Sequence, residues 1–197
     1  MQVRELKISG AFEFTPSVFP DDRGLFVAPF QGSVFAEAVG HPLRVAQTNH
    51  SESKRGVVRG VHFADTPPGQ AKYVHCARGR MLDVVVDLRV GSPTFGEWEA
   101  VELSAEAFNA TYLAEGLGHA LMALEDGTVA SYLCSEGFNP KAERGLHPLS
   151  LDLPWPADVT PVLSPKDAAA PTFEEARDSG LLPSYDECVA WYAKLRS

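Results

Sequence analysis

An all-β fold, a jelly-roll barrel with a helical C-terminal segment, is what this chain of 197 residues predicts, and three observations carry the prediction. Its 16 Gly and 15 Pro recur at short intervals between brief apolar runs, which is the punctuation of short strands joined by turns. The runs LRVAQTNH, GVVRGVHF, AKYVHCARG, MLDVVVDLRV, WEAVELS, NATYLAEG and TVASYLCS are rich in Val, Leu, Tyr and Phe, and that many short strands bury their faces in a closed or sandwiched antiparallel sheet. Helical signals collect at the end of the chain. Thr172 with Glu175 and Ser184 with Glu187 fit the capping pattern S/T-x-x-E. Cys188, Trp191, Tyr192 and Leu195 then fall at i, i+3, i+4 and i+7, one helical face able to pack on the barrel. A short helix is expected around Val34 to Val39. No repeat or linker divides the chain, so one domain covers 1–197, with the jelly roll over about 1–165 and the helical segment over about 172–197.

Composition narrows the function classes. No apolar run approaches the roughly 18 residues of a membrane helix, and MQVRELKISGAFEF lacks the basic and apolar blocks of a secretory signal, so a cytoplasmic protein without a membrane partner is expected. Cys76, Cys134 and Cys188 are too few for a disulfide scaffold, form no C-x-x-C pair and read as reduced, mostly buried thiols. Twenty-six acidic against 17 basic residues leave a net charge of -9, which opposes a nucleic-acid partner while allowing a local anion site.

Of the six histidines, His62 and His119 lie in contexts suited to chemistry. His62 rides a Val-rich strand, Arg59-Gly60-Val61-His62-Phe63, and an imidazole turned into an enclosed apolar cavity is a competent general base. A barrel metal site built on His-x-His is not expected, because Ala64 stands where the second histidine belongs. Lys72 shares one strand face with Gln70, Val74 and Cys76; the alternatives are hydration on the solvent face or an inward lysine that must be paired or used. Tyr132 has the same two readings. Arg23 and Arg59 read by default as surface ion pairs. Strict alternation sends Arg59 and His62 to opposite faces, and a bulge at Gly60 would turn both inward.

At these residues the chain resembles the dTDP-4-dehydrorhamnose 3,5-epimerase family of nucleotide-sugar epimerases, from about residue 10 to 182. The carriers are Phe19-Pro20-Asp21-Asp22-Arg23-Gly24, Gln47-Thr48-Asn49-His50-Ser51, Arg59 through Phe63, Gln70-Ala71-Lys72, Asp83 through Arg89, Gly91 through Gly96 and Leu163-Ser164-Pro165-Lys166-Asp167. The resemblance implies a cupin-like jelly roll that uses no metal and no cofactor and forms a homodimer by exchanging strands, to which a 10-residue N-terminal lead is suited. The implied substrate is a dTDP-4-keto-6-deoxyhexose. Carried over by position, His62 is the base, Asp167 its orienting carboxylate, Lys72 the cation at the 4-keto oxygen and Tyr132 the acid on the other side of the ring. Arg23 and Arg59 would hold the diphosphate, with Gln47 and Asn49 near the nucleotide, Phe26 beside the base, His119 in the phosphate and sugar region, and Phe138 among the substrate contacts.

Departures bear on the exact reaction. Ala28 replaces an expected glutamate, Gly118-His119-Ala120-Leu121 replaces Ala-His-Gly-Phe, and Leu133 through Phe138 differ from the rhamnose enzymes. These changes point to the branch that makes deoxysugars for secondary metabolites, single-position epimerases included, with a preference for C5 over C3. Two other readings stand beside it: a non-catalytic nucleotide-sugar-binding cupin, and a 3,4-ketoisomerase on a related barrel.

Overall fold

The computed structural model describes residues 1–197. In chain order the strands are β1 (Gln2–Glu5), β2 (Ala11–Thr15), β3 (Val18–Asp21), β4 (Gly24–Val27), β5 (Gln47–Ser53), β6 (Val58–Ala64), β7 (Lys72–Arg78), β8 (Arg80–Asp87), β9 (Trp98–Ser104), β10 (Ala110–Leu113), β11 (Leu117–Ala123), β12 (Thr128–Cys134) and β13 (Glu143–Gly145). The helices are α1 (Gly32–Val39), α2 (Pro165–Ala168), α3 (Phe173–Asp178) and α4 (Tyr185–Leu195). A six-stranded sheet runs β1-β2-β10-β7-β12-β5, a five-stranded sheet runs β13-β6-β11-β8-β9, and β3 and β4 pair only with each other. Apart from β1–β2 and β8–β9, neighbours in each sheet come from distant parts of the chain, and the jelly roll takes the sandwiched form of the two expected. No helix is long and apolar enough to cross a membrane.

Alternation along the strands sorts the apolar residues into three layers. Between the sheets, Val74 and Cys76 of β7 meet Met81 and Val85 of β8 and Leu103 of β9. Outside the six-stranded sheet, Phe14, Tyr73 and Tyr112 form an aromatic cluster under α1, whose Phe35 lies edge-on to Tyr112 at 4.8 Å. Outside the five-stranded sheet, Val61, Phe63, Val84 and Val86 are covered by Leu146, Leu153, Ala176 and Leu182. Burial on both faces is why β8 reads as an almost unbroken apolar run.

The last multi-residue strand ends at Gly145; beyond it Leu146 to Trp155 form irregular cover over the five-stranded sheet, and Val162 adds an isolated bridge to Val57. β1 pairs in register with β2 of its own chain, Gln2 opposite Thr15, so the N-terminal lead is an edge strand within the chain. The C-terminal reading holds in detail. Thr172 and Glu175 form both halves of the capping box, whereas Ser184 only accepts from the Glu187 N–H at 3.5 Å. Cys188 and Tyr192 turn to the barrel, and the Cys188 thiol fills the space that a Cβ on Gly116, at φ 86°, would need. Beneath α4, buried Arg89 makes two 2.8 Å bonds to Asp87, whose Oδ2 also accepts from Ser92 at 2.5 Å and Thr94 at 2.7 Å. The Arg89 guanidinium lies 5.2 Å from the Tyr185 ring centre, so this buried pair ties β8 and the Gly91–Gly96 loop to the helix.

Candidate active site

A cavity of about 870 Å³ opens between the sheets, walled by β5, β7 and β12 of one sheet, β6 and β11 of the other, and the segment leading into α2. Nine of the eleven expected site residues line it: Gln47, Asn49, Arg59, His62, Lys72, His119, Tyr132, Phe138 and Asp167.

His62 and Arg59 both reach it because of a bulge. Gly60 and Val61 separate them on β6, while Ala120 alone separates their β11 partners His119 and Leu121. Gly60 has φ 127°, and a Cβ there would lie 2.5 Å from the His119 carbonyl, so only glycine serves. Asp167 Oδ1 lies 2.7 Å from His62 Nε2, and Ser164 Oγ donates to Asp167 Oδ2 at 2.9 Å. Burial alone would raise the Asp167 carboxyl, but the His62 ring, the Ser164 hydroxyl and Lys166 hold it below its ordinary value. An ionised carboxylate can only accept, so the His62 Nε2 carries the proton shared with Asp167.

A second pair stands beside the first. His119 Nε2 lies 2.6 Å from Asp83 Oδ1, and the other Asp83 oxygen is buried without a partner. The His119 side chain is 8% exposed against 26% for His62, so His62 is the more accessible of the two rings. Lys72 faces inward and is buried. Burial pushes its ammonium below the usual lysine range, against the pull of Glu143, Cys134 and Asp83.

Tyr132 reaches the cavity from β12, opposite Asn49 on β5, so it and Lys72 belong to the six-stranded sheet while His62 belongs to the five-stranded one. Burial raises the Tyr132 phenol, an effect Cys134 adds to and Asn49 and Arg59 oppose; it stays protonated, as a donor must. Gln47 Nε2 donates to Asn49 Oδ1 at 2.7 Å, and Gln47 Oε1 accepts from the Phe138 N–H at 2.8 Å, which sets the exposed Phe138 ring at the cavity mouth. Arg59 bonds Ser53 Oγ at 3.1 Å and the Glu52 carbonyl at 3.2 Å.

Arg23 and Phe26 are the two exceptions. They sit on the β3–β4 hairpin, Arg23 folded back on Asp21 at 2.5 Å and Phe26 68% exposed, and neither lines this chain's cavity. No three His, Cys, Asp or Glu side chains converge to hold a metal ion.

This arrangement can remove a proton from carbon, meet the resulting negative charge with an ammonium and return a proton from the facing sheet. A family model described as dTDP-4-dehydrorhamnose 3,5-epimerase matches residues 5–175. The chain belongs to the dTDP-4-dehydrorhamnose 3,5-epimerase family. A Streptomyces niveus member named dTDP-4-dehydrorhamnose 3-epimerase is 52% identical over 96% of this chain and 92% of its own. A Mycolicibacterium smegmatis dTDP-4-dehydrorhamnose 3,5-epimerase is 48% identical over 100% and 98%. The crystal structure of a 3'-monoepimerase from Streptomyces bikiniensis, in complex with dTDP-quinovose, superposes with a TM-score of 0.94 at 46% identity, covering 97% of this chain and 98% of that one.

Within this epimerase-family site, sequence reasoning assigned no role to Asp83, Ser164, Glu143 or Lys166. Asp83 carried a signal: a carboxylate inside a Val run, in phase with Met81 and Val85, must find an inward partner. Ser164 had one too, as a helix cap three residues before Asp167. Glu143, on the three-residue β13, and Lys166, on the four-residue α2, had none, because folding alone brings these short elements to the cavity.

Proposed function

We propose that this chain is an isomerase that epimerises a dTDP-4-keto-6-deoxyhexose at C3, C5 or both, in deoxysugar biosynthesis. The observation that carries the reading is the His62–Asp167 pair facing the same cavity as the buried Lys72 ammonium. A ketone at C4 acidifies the hydrogens on C3 and C5. His62 Nδ1 takes one of them, Asp167 stabilises the imidazolium, and charge gathering on O4 is met by Lys72, so the step draws on no cofactor. Inversion needs a proton on the opposite face of the ring, and the placement of His62 and Tyr132 on facing sheets supports Tyr132 as its source. Arg59 suits the diphosphate, while Gln47, Asn49 and Phe138 lie together toward a nucleotide. His119, held by Asp83 next to His62, borders the sugar.

Replacing Tyr132 by Phe separates the two half-reactions. In deuterated water the variant is expected to wash label into the sugar at a reduced rate while forming little epimer, the deuteron returning through His62 to the original configuration. Inversion at the wild-type rate would show that water or another side chain is the acid.

The β3–β4 hairpin supports a homodimer. Phe19, Leu25 and Phe26 are each more than half exposed on a two-stranded arm that joins neither sheet, and the cavity lacks the two residues this arm carries. The arm of one copy laid over the cavity of another would bring Arg23 to the diphosphate and Phe26 to the base. Light scattering should give about twice 21.3 kDa, and Phe19→Asp should halve that mass and weaken substrate binding. A fully active monomer at micromolar concentration contradicts the shared site. Cys76, Cys134 and Cys188 are all buried and unpaired, which fits a reducing, cytoplasmic setting.

A further inference from the structure

We infer that Glu115 is a positioning residue for Lys72: acting through Ser135, its carboxyl group holds the backbone of Ala71 and so the point at which β7 enters the cavity. The inference rests on the reading of Lys72 as the cation at O4. Glu115 lies in the turn between β10 and β11 and is 3% exposed. Ser135 grips Ala71 twice, its Oγ accepting from the Ala71 N–H at 2.9 Å and its N–H donating to the Ala71 carbonyl at 3.0 Å. Ala71 immediately precedes Lys72. With its lone pair engaged by Ala71, the Ser135 hydroxyl donates to Glu115 Oε1, at 3.4 Å. The stem of Glu115 also props the turn before β7, since a Cβ on Gly69 would lie 2.7 Å from the Glu115 Cβ.

The carboxyl is poorly provided for as a structural group. Its Oε2 and the nearby Trp191 Nε1 are both buried and neither has a hydrogen bond of regular geometry, so a weak contact between the two is all that serves them. An apolar or amide side chain of the same size would pack there without that cost, so an ionisable group calls for an explanation. Burial pushes its pKa up to about 7, with the Ser135 and Trp191 donors pulling down and Glu136 pushing up. The groups facing it are Tyr112 of β10, Glu136 beyond β12, and Cys188 and Tyr192 of α4, with His41, Arg44 and Lys194 around the same cavity of about 300 Å³. Its charge therefore changes close to neutral pH. Above that point the carboxylate draws the Ser135 hydroxyl and fastens Ala71; below it, the neutral acid competes for the same oxygen and the fastening loosens.

The test compares deuterium wash-in by wild type, Glu115→Gln, Ser135→Ala and Lys72→Met from pH 6 to 8.5, with KM and melting temperature measured alongside. Glu115→Gln mimics the neutral acid in shape, so its rate should match wild type at pH 6 and fall behind by on the order of tenfold at pH 8, KM unchanged. Ser135→Ala should be slow throughout, and it carries the test alone if Glu115→Gln does not fold. A Glu115→Gln to wild-type ratio that stays constant with pH, or wild-type exchange by Ser135→Ala, overturns the inference. Lys72→Met separates the two levels: if it exchanges like wild type, the reading of Lys72 itself fails, whereas an inactive Lys72→Met beside a constant ratio sinks only the role of Glu115.

Discussion

His62→Ala is expected to lose proton exchange at both C3 and C5, by roughly a hundredfold to ten-thousandfold, the usual worth of a positioned base. No neighbouring group can substitute for it. The other imidazole in the cavity, His119, is paired through Nε2 with Asp83 in the same way, at 2.6 Å, but at 8% against 26% exposure it is the less accessible of the two rings. Asp167 sits behind His62 with both oxygens engaged. Proton NMR in deuterated water reads the loss directly, with circular dichroism confirming the fold. Exchange at the wild-type rate in a folded His62→Ala protein would move the base elsewhere.

Lys72→Met should have the second large effect, a fall of about a hundredfold to a thousandfold in exchange, because it removes the charge that stabilises the enolate oxygen while keeping the stem. The pH profile gives a sharper check. Burial lowers the Lys72 ammonium below the ordinary lysine range, and that ammonium is active only while protonated. The exchange rate should therefore decline on the alkaline side earlier than a free lysine would allow, and Lys72→Met should erase that limb. A variant that exchanges normally, or that keeps the alkaline decline, would assign charge stabilisation to another group.

Much of this architecture is legible in the amino-acid sequence, and the reasons are physical. Short Val-rich strands between Gly and Pro imply a sandwich or barrel because their faces can be buried in few other ways. The in-phase placement of Lys72 with Val74 and Cys76 groups the three on one face, leaving the resemblance to choose the inner one, and the bulge at Gly60 that would turn Arg59 and His62 the same way is present in the fold. What local pattern does not reveal is set by packing. β11 has no alternation, since Leu117 through Ala123 is buried on both faces, and an apolar run of that kind reads equally as helix. The partnership of His119 with Asp83 spans two strands and is invisible to local spacing. Arg23 and Phe26 depended on the resemblance alone, and the hairpin places them where one chain cannot use them.

The central claim is proton transfer at carbon beside a ketone that stays at C4. Incubating the purified protein with dTDP-4-keto-6-deoxyglucose in deuterated water, followed by proton NMR, tests it most directly. The account predicts deuterium at C3, at C5 or at both, with inverted configuration at a labelled carbon and the carbonyl still at C4. Unlabelled sugar bound without exchange would make the chain a binding protein, and a carbonyl that migrates to C3 would make it a ketoisomerase; either result contradicts the account.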